Sequence, residues 1–406
     1  MTLDIRIFKA VKITDKVWWV GAIDWNLKEF HGYHTHRGTT YNAYLVLGEK
    51  PTLIDTVKAP FKQEMYSRIA SVIDPSEIKV IVSNHAEPDH SGALPEVIDE
   101  LKPEVVYASV AGVRILDAQF HIGNRLTAVK TGDSIDLGGL TLSFIETKML
   151  HWPDSMFSYL KEEKILFSQD GFGMHLATDR IFIDENPWDV IELEMQKYYA
   201  NILLLYSPQV LKLLEVFPTL GLDVQYIATD HGPVWRGADV AKPLALYKKF
   251  AEQKPEPRAV VVYDTMWGAT DKMGRSIADG IRSTGAGVTV CCMHSKFRSD
   301  VATAVMGAGA LIVGSPTINN MLYPSVSDVL CYLKGLRPKN LIGGTFGSFG
   351  WSGEAPAQAM EILKSMSVEL PEEPLKLKFA SSEEDFRKCF DFGVRIGNLL
   401  LERAKQ

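Results

Sequence analysis

The stretch NHAEPDH, residues 84–90, carries four side chains able to bind a metal: His85, Glu87, Asp89 and His90. It follows KVIVS, a short apolar run that reads as a buried strand. Two imidazoles and two carboxylates at one strand end call for further ligands from elsewhere in the chain. Three residues occupy similar positions. His151 follows LTLSFIETKML, Asp170 ends KILFSQD, and His231 ends VQYIATDH. In a layered sandwich the strand ends along one edge converge, so these residues can meet in space. A lone histidine at a strand end is ordinarily a surface or satisfied group. Seven ligand-type residues at four strand ends of one domain form a pattern of a different kind.

The donor set discriminates between metals. Four imidazoles and three carboxylates exceed what one ion needs, so the site is expected to be binuclear. Zinc hydrolases on this plan carry HxHxDH, and here Glu87 stands where the second histidine would be. The added hard oxygen favours a redox-active ion such as iron over zinc. Asp170 can bridge two cations with its two oxygens. The count suits two irons with a position left open for a small ligand.

The remainder of the chain bounds the function classes. Its 406 residues exceed one ordinary core, so two domains are expected. The composition, 46% hydrophobic and 23% charged, is that of a globular protein. The formal net charge of -7 and the lack of a basic block speak against a nucleic-acid partner. No apolar run is read as a membrane span of ~20 residues. The opening MTLDIRIFKAVKITDK has no signal-peptide core, so the cytoplasm is the expected compartment. Cys291, Cys292, Cys331 and Cys389 form no CxxC pair, which excludes a rubredoxin-type or iron–sulfur site within the chain.

Two rhythms divide the text. Residues 1–251 alternate short strands (VWWVGAI, YNAYLVL, PTLIDT, IKVIVSN, LTLSFIET, FSYL) with helical patterns such as FKQEMYSRIASVI, LPEVIDEL, IELEMQKYYANILLL and PQVLKLLEVF. That mixture predicts a layered α/β sandwich. Residues 252–257 read as a charged, proline-bearing linker. Residues 258–406 alternate five strands (AVVVYD, VTVCCM, GALIVGSP, NLIGGTFGSFG, LKLKFA) with helices, which predicts a doubly wound five-stranded parallel sheet.

HAEPDH followed by His151, Asp170 and His231 resembles the flavodiiron protein family, whose ligand domain has the metallo-β-lactamase αββα fold. The intervals agree: 18 residues separate His151 from Asp170 and 60 separate Asp170 from His231. DWNLKEFHGY, GTTYNAYLV, LHWPDSMFSYL and KYYANIL match the family as well, and the likeness runs the whole length. The resemblance implies that His85, Glu87 and His151 hold one iron, that Asp89, His90 and His231 hold the other, and that Asp170 bridges. In some members the counterpart of His90 turns away from the metal.

The second half opens with VVVYDTMWGATDKMG. The loop Thr265, Met266, Trp267, Gly268, Ala269 and Thr270 offers hydroxyls and a close backbone approach, followed by the free N–H groups of a helix start. It resembles the flavodoxin signature T-x-x-G-x-T, with Gly274 where flavodoxins often have Ala. After the third strand, Ser315, Pro316, Thr317, Ile318, Asn319 and Asn320 can meet a flavin edge. After the fourth, Gly347, Ser348, Phe349, Gly350, Trp351 and Gly353 offer close approach and stacking. The three loops together read as an FMN site.

A chain holding both sites is most simply a terminal oxidoreductase, with electrons entering at FMN and passing to iron. The resemblance implies O2 reduced to water, NO reduced to N2O, or both. The alternatives at this point are a metal-dependent hydrolase with a fused flavodoxin domain and an electron carrier with a structural metal. No rubredoxin-like segment is seen in this chain, so the donor is expected to be external: a rubredoxin, or reduced F420 as in some relatives. The resemblance also implies a head-to-tail homodimer or dimer of dimers. His175, in DGFGMH, and Tyr199, in KYYAN, are candidates to line the gas pocket, against a bland reading of each as a core or surface residue.

Overall fold

The computed structural model describes residues 7–404, so the first six residues of the N-terminal stretch lie outside the described residues. Contacts divide the chain into two units. The first runs up to Phe30 and takes Thr35–Tyr198 and Pro208–Lys248. The second holds Lys249 onward together with His31–His34 and Tyr199–Ser207.

The first unit is two mixed sheets face to face. One has seven strands in sequential order, from Val11–Lys12 through Val17–Trp19, Tyr44–Val46, Thr52–Ile54, Val80–Ser83 and Val105–Ser109 to Thr127–Val129. The other has six, from Ser134–Asp136 through Thr141–Glu146, Met156–Leu160, Ile165–Gln169 and Tyr226–Thr229 to Trp235–Arg236. Side chains alternate across a strand. Tyr44, Val46, Val80 and Val82 therefore face the second sheet and pack with Leu142, Phe144, Met156 and Phe167. Leu45 and Ile81 face the opposite way and meet Met65, Ile69, Leu94 and Val97 from the helices Lys62–Ala70 and Leu94–Leu101. A strand covered on both faces has to be apolar throughout, which is why KVIVS shows no alternation.

The run VWWVGAI, read as one strand, is two. Val17–Trp19 pairs with Tyr44–Val46, whereas Ala22–Asp24 pairs with Thr39–Tyr41. Gly21 makes the break, because a Cβ there would lie 2.3 Å from the Tyr41 carbonyl oxygen. The helices Val110–Phe120 and Ala241–Glu252 lie outside the expected set. The first opens on an apolar Val-Ala-Gly-Val run that mimics a strand, but the Ser109 hydroxyl caps it by accepting the Gly112 N–H at 2.9 Å.

One helical stretch does reach the length and apolarity of a membrane span: Trp188–Leu220, about a third of whose most apolar window is buried. The stretch is not one regular helix. It passes from α-helix into a π-helical turn at Tyr199–Leu203 and a 3-10 turn at Leu204–Tyr206. Tyr198, Tyr199, Leu203 and Leu204 are buried within the fold.

The second unit is a five-stranded parallel sheet. Its order is Gly287–Cys292, Glu256–Tyr263, Ala308–Gly314, Ile342–Phe349, Leu375–Lys378. The first strand starts at Glu256, so only Gln253–Pro255 separates it from the preceding helix. The helices Ala269–Ser283 and Glu383–Arg403 cover one face with Ile277, Ile281, Phe392 and Ile396. Their backbones touch through two glycines. A Cβ on Gly280 would meet the Phe390 carbonyl oxygen at 2.0 Å, and one on Gly393 would meet that of Ile277 at 2.1 Å. Gly280→Ala is expected to force these helices apart and cost about 1–3 kcal/mol. A lowered unfolding midpoint of the flavin-bearing unit, followed by far-UV circular dichroism, checks this; an unchanged midpoint refutes the contact.

Candidate metal centre and flavin cleft

The seven candidate ligand residues reach one place because four strands end there. His85 lies just past Val80–Ser83, and the Pro88–Ser91 helical turn carries Asp89 and His90. Asp170 and His231 follow the adjacent parallel strands Ile165–Gln169 and Tyr226–Thr229, which are in register at Gln169 and Thr229. Gln169 has a positive φ of 44° beside a bulge. Such a backbone is unfavourable for a side-chain-bearing residue. Here the Gln169 side chain holds it, accepting the Asp170 N–H at 2.6 Å and donating to the Leu150 carbonyl at 2.6 Å.

The seven residues form two groups that meet at Asp170: His85, Glu87, His151 and Asp170, and Asp89, His90 and His231. Asp170 Oδ2 lies 2.9 Å from His151 Nε2 and 3.4 Å from His85 Nε2. Its Oδ1 lies 3.2 Å from His90 Nε2 and 3.6 Å from His231 Nε2. Each oxygen thus faces one group. Glu87 Oε2 completes the first, 3.2 Å from His85 and 3.1 Å from His151. Asp89 Oδ2 completes the second, 3.3 Å from His90 and 3.2 Å from His231. His90 is turned inward.

All four imidazoles present Nε2 to the centre, and three have a group on the opposite nitrogen. Asp154 Oδ2 sits 3.1 Å from His85 Nδ1, and Asp230 Oδ2 sits 3.5 Å from His90 Nδ1. His231 Nδ1 donates to the Thr40 carbonyl oxygen at 2.6 Å. The partners of His85 and His231 keep the Nδ1 proton in place and leave the Nε2 lone pair for a metal, whereas Asp230 approaches His90 without a hydrogen bond. Sequence reasoning did not name Asp154, Asp230 or Thr40. The signal was present for the two acids, which lie three residues after His151 and one before His231.

Electrostatics test whether cations fit. Both carboxylate oxygens of Asp89, both ring nitrogens of His90 and Oδ1 of Asp170 are buried without a hydrogen-bond partner. Buried charge of this kind is costly unless it is compensated. Burial lowers the affinity of His85 for a proton, yet hydrogen bonds that its ring donates to Asp154, Asp170 and Glu87 outweigh it and raise its pKa well above the ordinary value. His151 is driven the same way, to about 9: burial opposes the shift, and Asp170 and Glu87 prevail. Burial would raise Asp170, but the charge of His90 and hydrogen bonds from His151 and His85 hold it well below the carboxylate range. The cluster therefore takes up protons to balance its carboxylates. Two divalent cations do the same work with the donor atoms already converged.

His175 and Tyr198 stand over the second group. The His175 ring is edge-on to His231 with centroids 4.6 Å apart, and edge-on to Tyr198 at 5.0 Å. The Thr39 hydroxyl lies 2.9 Å from His175 Nδ1. Burial, then the neighbouring His231, drives the His175 pKa well down, so the ring is neutral. Tyr199 does not share this position. Its hydroxyl is 3.2 Å from that of Ser207 and its ring packs on Phe250, so Tyr198 takes the place expected for Tyr199. The two tyrosines are consecutive on one helix, and ~100° of helical rotation separates their faces.

In the second unit, three loops at the carboxyl ends of the parallel strands enclose a cleft of about 510 Å³. It is lined by Thr265, Met266, Trp267 and Ala269, by Pro316, Thr317, Asn319 and Asn320, and by Ser348, Phe349, Gly350 and Trp351. Ser352 and Phe379 also line it and were not anticipated. Phe379 lies past the fifth strand, where no loop was assigned to the ligand. Gly268, Thr270, Ser315, Ile318, Gly347 and Gly353, also expected at the flavin, are not among the lining residues. Gly268 begins the Ala269–Ser283 helix at a φ of 83°, and its N–H donates to Thr265 Oγ1 at 3.1 Å. The buried Thr270 hydroxyl is 2.9 Å from Ser348 Oγ. A Cβ on Gly347 would lie 2.1 Å from the Ser315 carbonyl oxygen. Helix-start N–H groups and threonine hydroxyls suit a phosphate. Trp267 and Trp351, 95% and 91% exposed, offer aromatic faces to a planar ring.

Residues 39–232 match the ODP family beta lactamase model and residues 261–393 the flavodoxin model. The chain is 45% identical to the rubredoxin-oxygen oxidoreductase of Megalodesulfovibrio gigas, over 97% of this chain and 98% of that protein. It is 42% identical to the nitric oxide reductase of Moorella thermoacetica, over 96% and 98%. The crystal structure of the flavodiiron protein from Giardia intestinalis superposes with a TM-score of 0.94 at 35% identity, covering 98% of each chain. The chain belongs to the flavodiiron proteins. As a flavodiiron protein it is an oxidoreductase that takes FMN and a pair of iron ions.

Asp170→Asn is expected to keep the fold and lose at least one iron, because an amide oxygen cannot present negative charge to two cations. Iron quantitation with circular dichroism checks this; full iron content in a folded variant refutes the bridging geometry.

Proposed function

We propose that this flavodiiron protein reduces O2 to water, NO to N2O, or both, with electrons delivered through FMN from an external donor of the rubredoxin kind. The observation that supports this reading best is the division of Asp170 between two imidazole–carboxylate groups. His85, Glu87 and His151 would hold one iron, Asp89, His90 and His231 the other, and Asp170 both. When bound, the irons supply redox-active centres with room for a diatomic ligand, and FMN supplies one- or two-electron steps. Glu87 adds the hard oxygen that favours iron over zinc. Asp154 and Thr40 orient the imidazoles of His85 and His231. His175, neutral and buried, offers a hydrogen-bonding ring at the edge of the centre, and Tyr198 keeps its phenolic proton because burial, then the Asp170 charge, raises its pKa.

The test is steady-state consumption of each gas by protein loaded with two irons and FMN, driven by reduced rubredoxin. Turnover of one or both gases is expected, and consumption of neither overturns the reading. Reduction of either gas consumes protons. His175→Ala is expected to slow it by roughly a hundredfold, within the range of a lost proton-handling group, while iron and FMN stay bound. Unchanged turnover would return His175 to packing alone.

We further infer a head-to-tail homodimer in which the FMN of one chain faces the diiron centre of its partner. Electron transfer weakens steeply with distance, so a remote flavin would leave the irons oxidised. His85→Ala with Asp170→Ala removes iron. Thr265→Ala, Thr270→Ala and Gly268→Phe together remove FMN. Each variant alone is expected to be inactive, and mixed dimers of the two to recover part of the activity. Mixed dimers that form and remain inactive place the electron path within one chain.

A further inference from the structure

A third group of metal-ligating side chains lies in the flavodoxin-like unit. The parallel strands Glu256–Tyr263 and Gly287–Cys292 end side by side, with Tyr263 opposite Cys292. The Met293 N–H donates to the Tyr263 carbonyl at 2.9 Å, so the ladder continues one step beyond the strand. Asp264 follows the first strand and His294 follows the second after a tight turn closed by Ser295 N–H to Cys292 O at 3.0 Å. One ligand atom each from Asp264, Cys292 and His294 falls within 4.8 Å of the others. His294 Nδ1 faces both partners, 2.5 Å from Asp264 Oδ1 and 4.0 Å from Cys292 Sγ. None of the three is used by the diiron centre or lines the flavin cleft.

We propose that Asp264, Cys292 and His294 form a binding site for one zinc ion. The donor set is a thiolate, an imidazole and a carboxylate, the mixture that zinc accepts in open tetrahedral sites with solvent in the fourth position. A soft sulfur donor disfavours magnesium and calcium, which take oxygen. The charges match, because a thiolate and a carboxylate together offset a dication. Burial raises the Cys292 thiol pKa, so its proton stays on sulfur until zinc displaces it to solvent. Asp264 is buried and already oriented: its Oδ1 accepts the Thr265 N–H at 2.7 Å and its Oδ2 accepts from the Ser325 hydroxyl. His294, with 58% of its side chain exposed, leaves the site open to an ion from solution. Asp264 immediately precedes the loop that cradles the flavin phosphate, so zinc here offsets a negative charge at the margin of an anion site.

The experiment uses protein loaded with iron and FMN, given one equivalent of zinc and desalted. Zinc K-edge absorption is expected to show one sulfur neighbour at about 2.3 Å. The diiron centre has only nitrogen and oxygen donors, so a sulfur shell distinguishes this site from zinc that has replaced iron. Cys292→Ser is expected to abolish the sulfur shell, and His294→Ala, at a ring with 58% of its side chain exposed, to weaken zinc binding by roughly tenfold or more. Cys331→Ser, which removes the one exposed cysteine among the described residues, is expected to change neither. FMN content and circular dichroism report that each variant is folded. Failure to retain zinc, a shell of nitrogen and oxygen alone, or a sulfur shell that survives Cys292→Ser would each overturn the proposal.

Discussion

The Asp170 carboxylate is the constraint around which the first unit is organised. It is buried, carries a negative charge and faces four imidazoles, two on each oxygen. Two further carboxylates, Glu87 and Asp89, are buried beside it. Charge in this density is not tolerated in a protein interior unless it is compensated. Without cations, the imidazoles supply compensation by taking protons. With cations, the same imidazoles would serve as neutral ligands and the carboxylates would offset the metal charge. The arrangement thus suits iron.

Holding that carboxylate fixed takes structure well beyond the ligands. Gln169 adopts a left-handed backbone and uses its own amide to brace Asp170. Asp55 grips Asn84 through both oxygens, at 2.6 Å to its N–H and 2.8 Å to its side chain, and so fixes the loop that begins the HAEPDH run. Asp154 accepts the Ala86 N–H at 2.6 Å while it orients His85. In the flavodoxin-like unit the geometry is set by close approach of backbones. Gly347 lies against Ser315, and Gly280 and Gly393 let two helices touch. There the loops carry the ligand chemistry, and the parallel sheet brings their carboxyl ends together.

Much of this was legible in the residues. The strand ends carrying His85, His151, Asp170 and His231 each follow an apolar run, and the chemistry of seven donors pointed to two ions. The five-strand rhythm after residue 258 gave the second fold, and the three loops expected to meet a flavin line one cleft. The misses share a cause. Tyr198 and Tyr199 are neighbours in sequence and both apolar in context, so nothing local told which faces the centre; a π-helical turn beginning at Tyr199 changes the rotation there. Gly21 looked like part of a strand because periodicity does not register the carbonyl it must pass. Phe379 has no motif around it. The strip Trp188–Leu220 is apolar enough to span a membrane, and only its irregular helix and buried tyrosines reveal a different use.

The amino-acid sequence by itself determined the family, the donor types and the succession of strands and helices in the second half, because ligand chemistry and hydrophobic period are properties of individual residues and their spacing. Tertiary structure alone decided which oxygen of Asp170 faces which imidazoles, which nitrogen each histidine presents, and that Cys292 and His294 meet Asp264. Those outcomes depend on strand register and on bends at Gln169 and Gly21, where a shift of one residue turns a side chain to the opposite face. No local pattern carries that information, since it arises only when separate strands pair and pack.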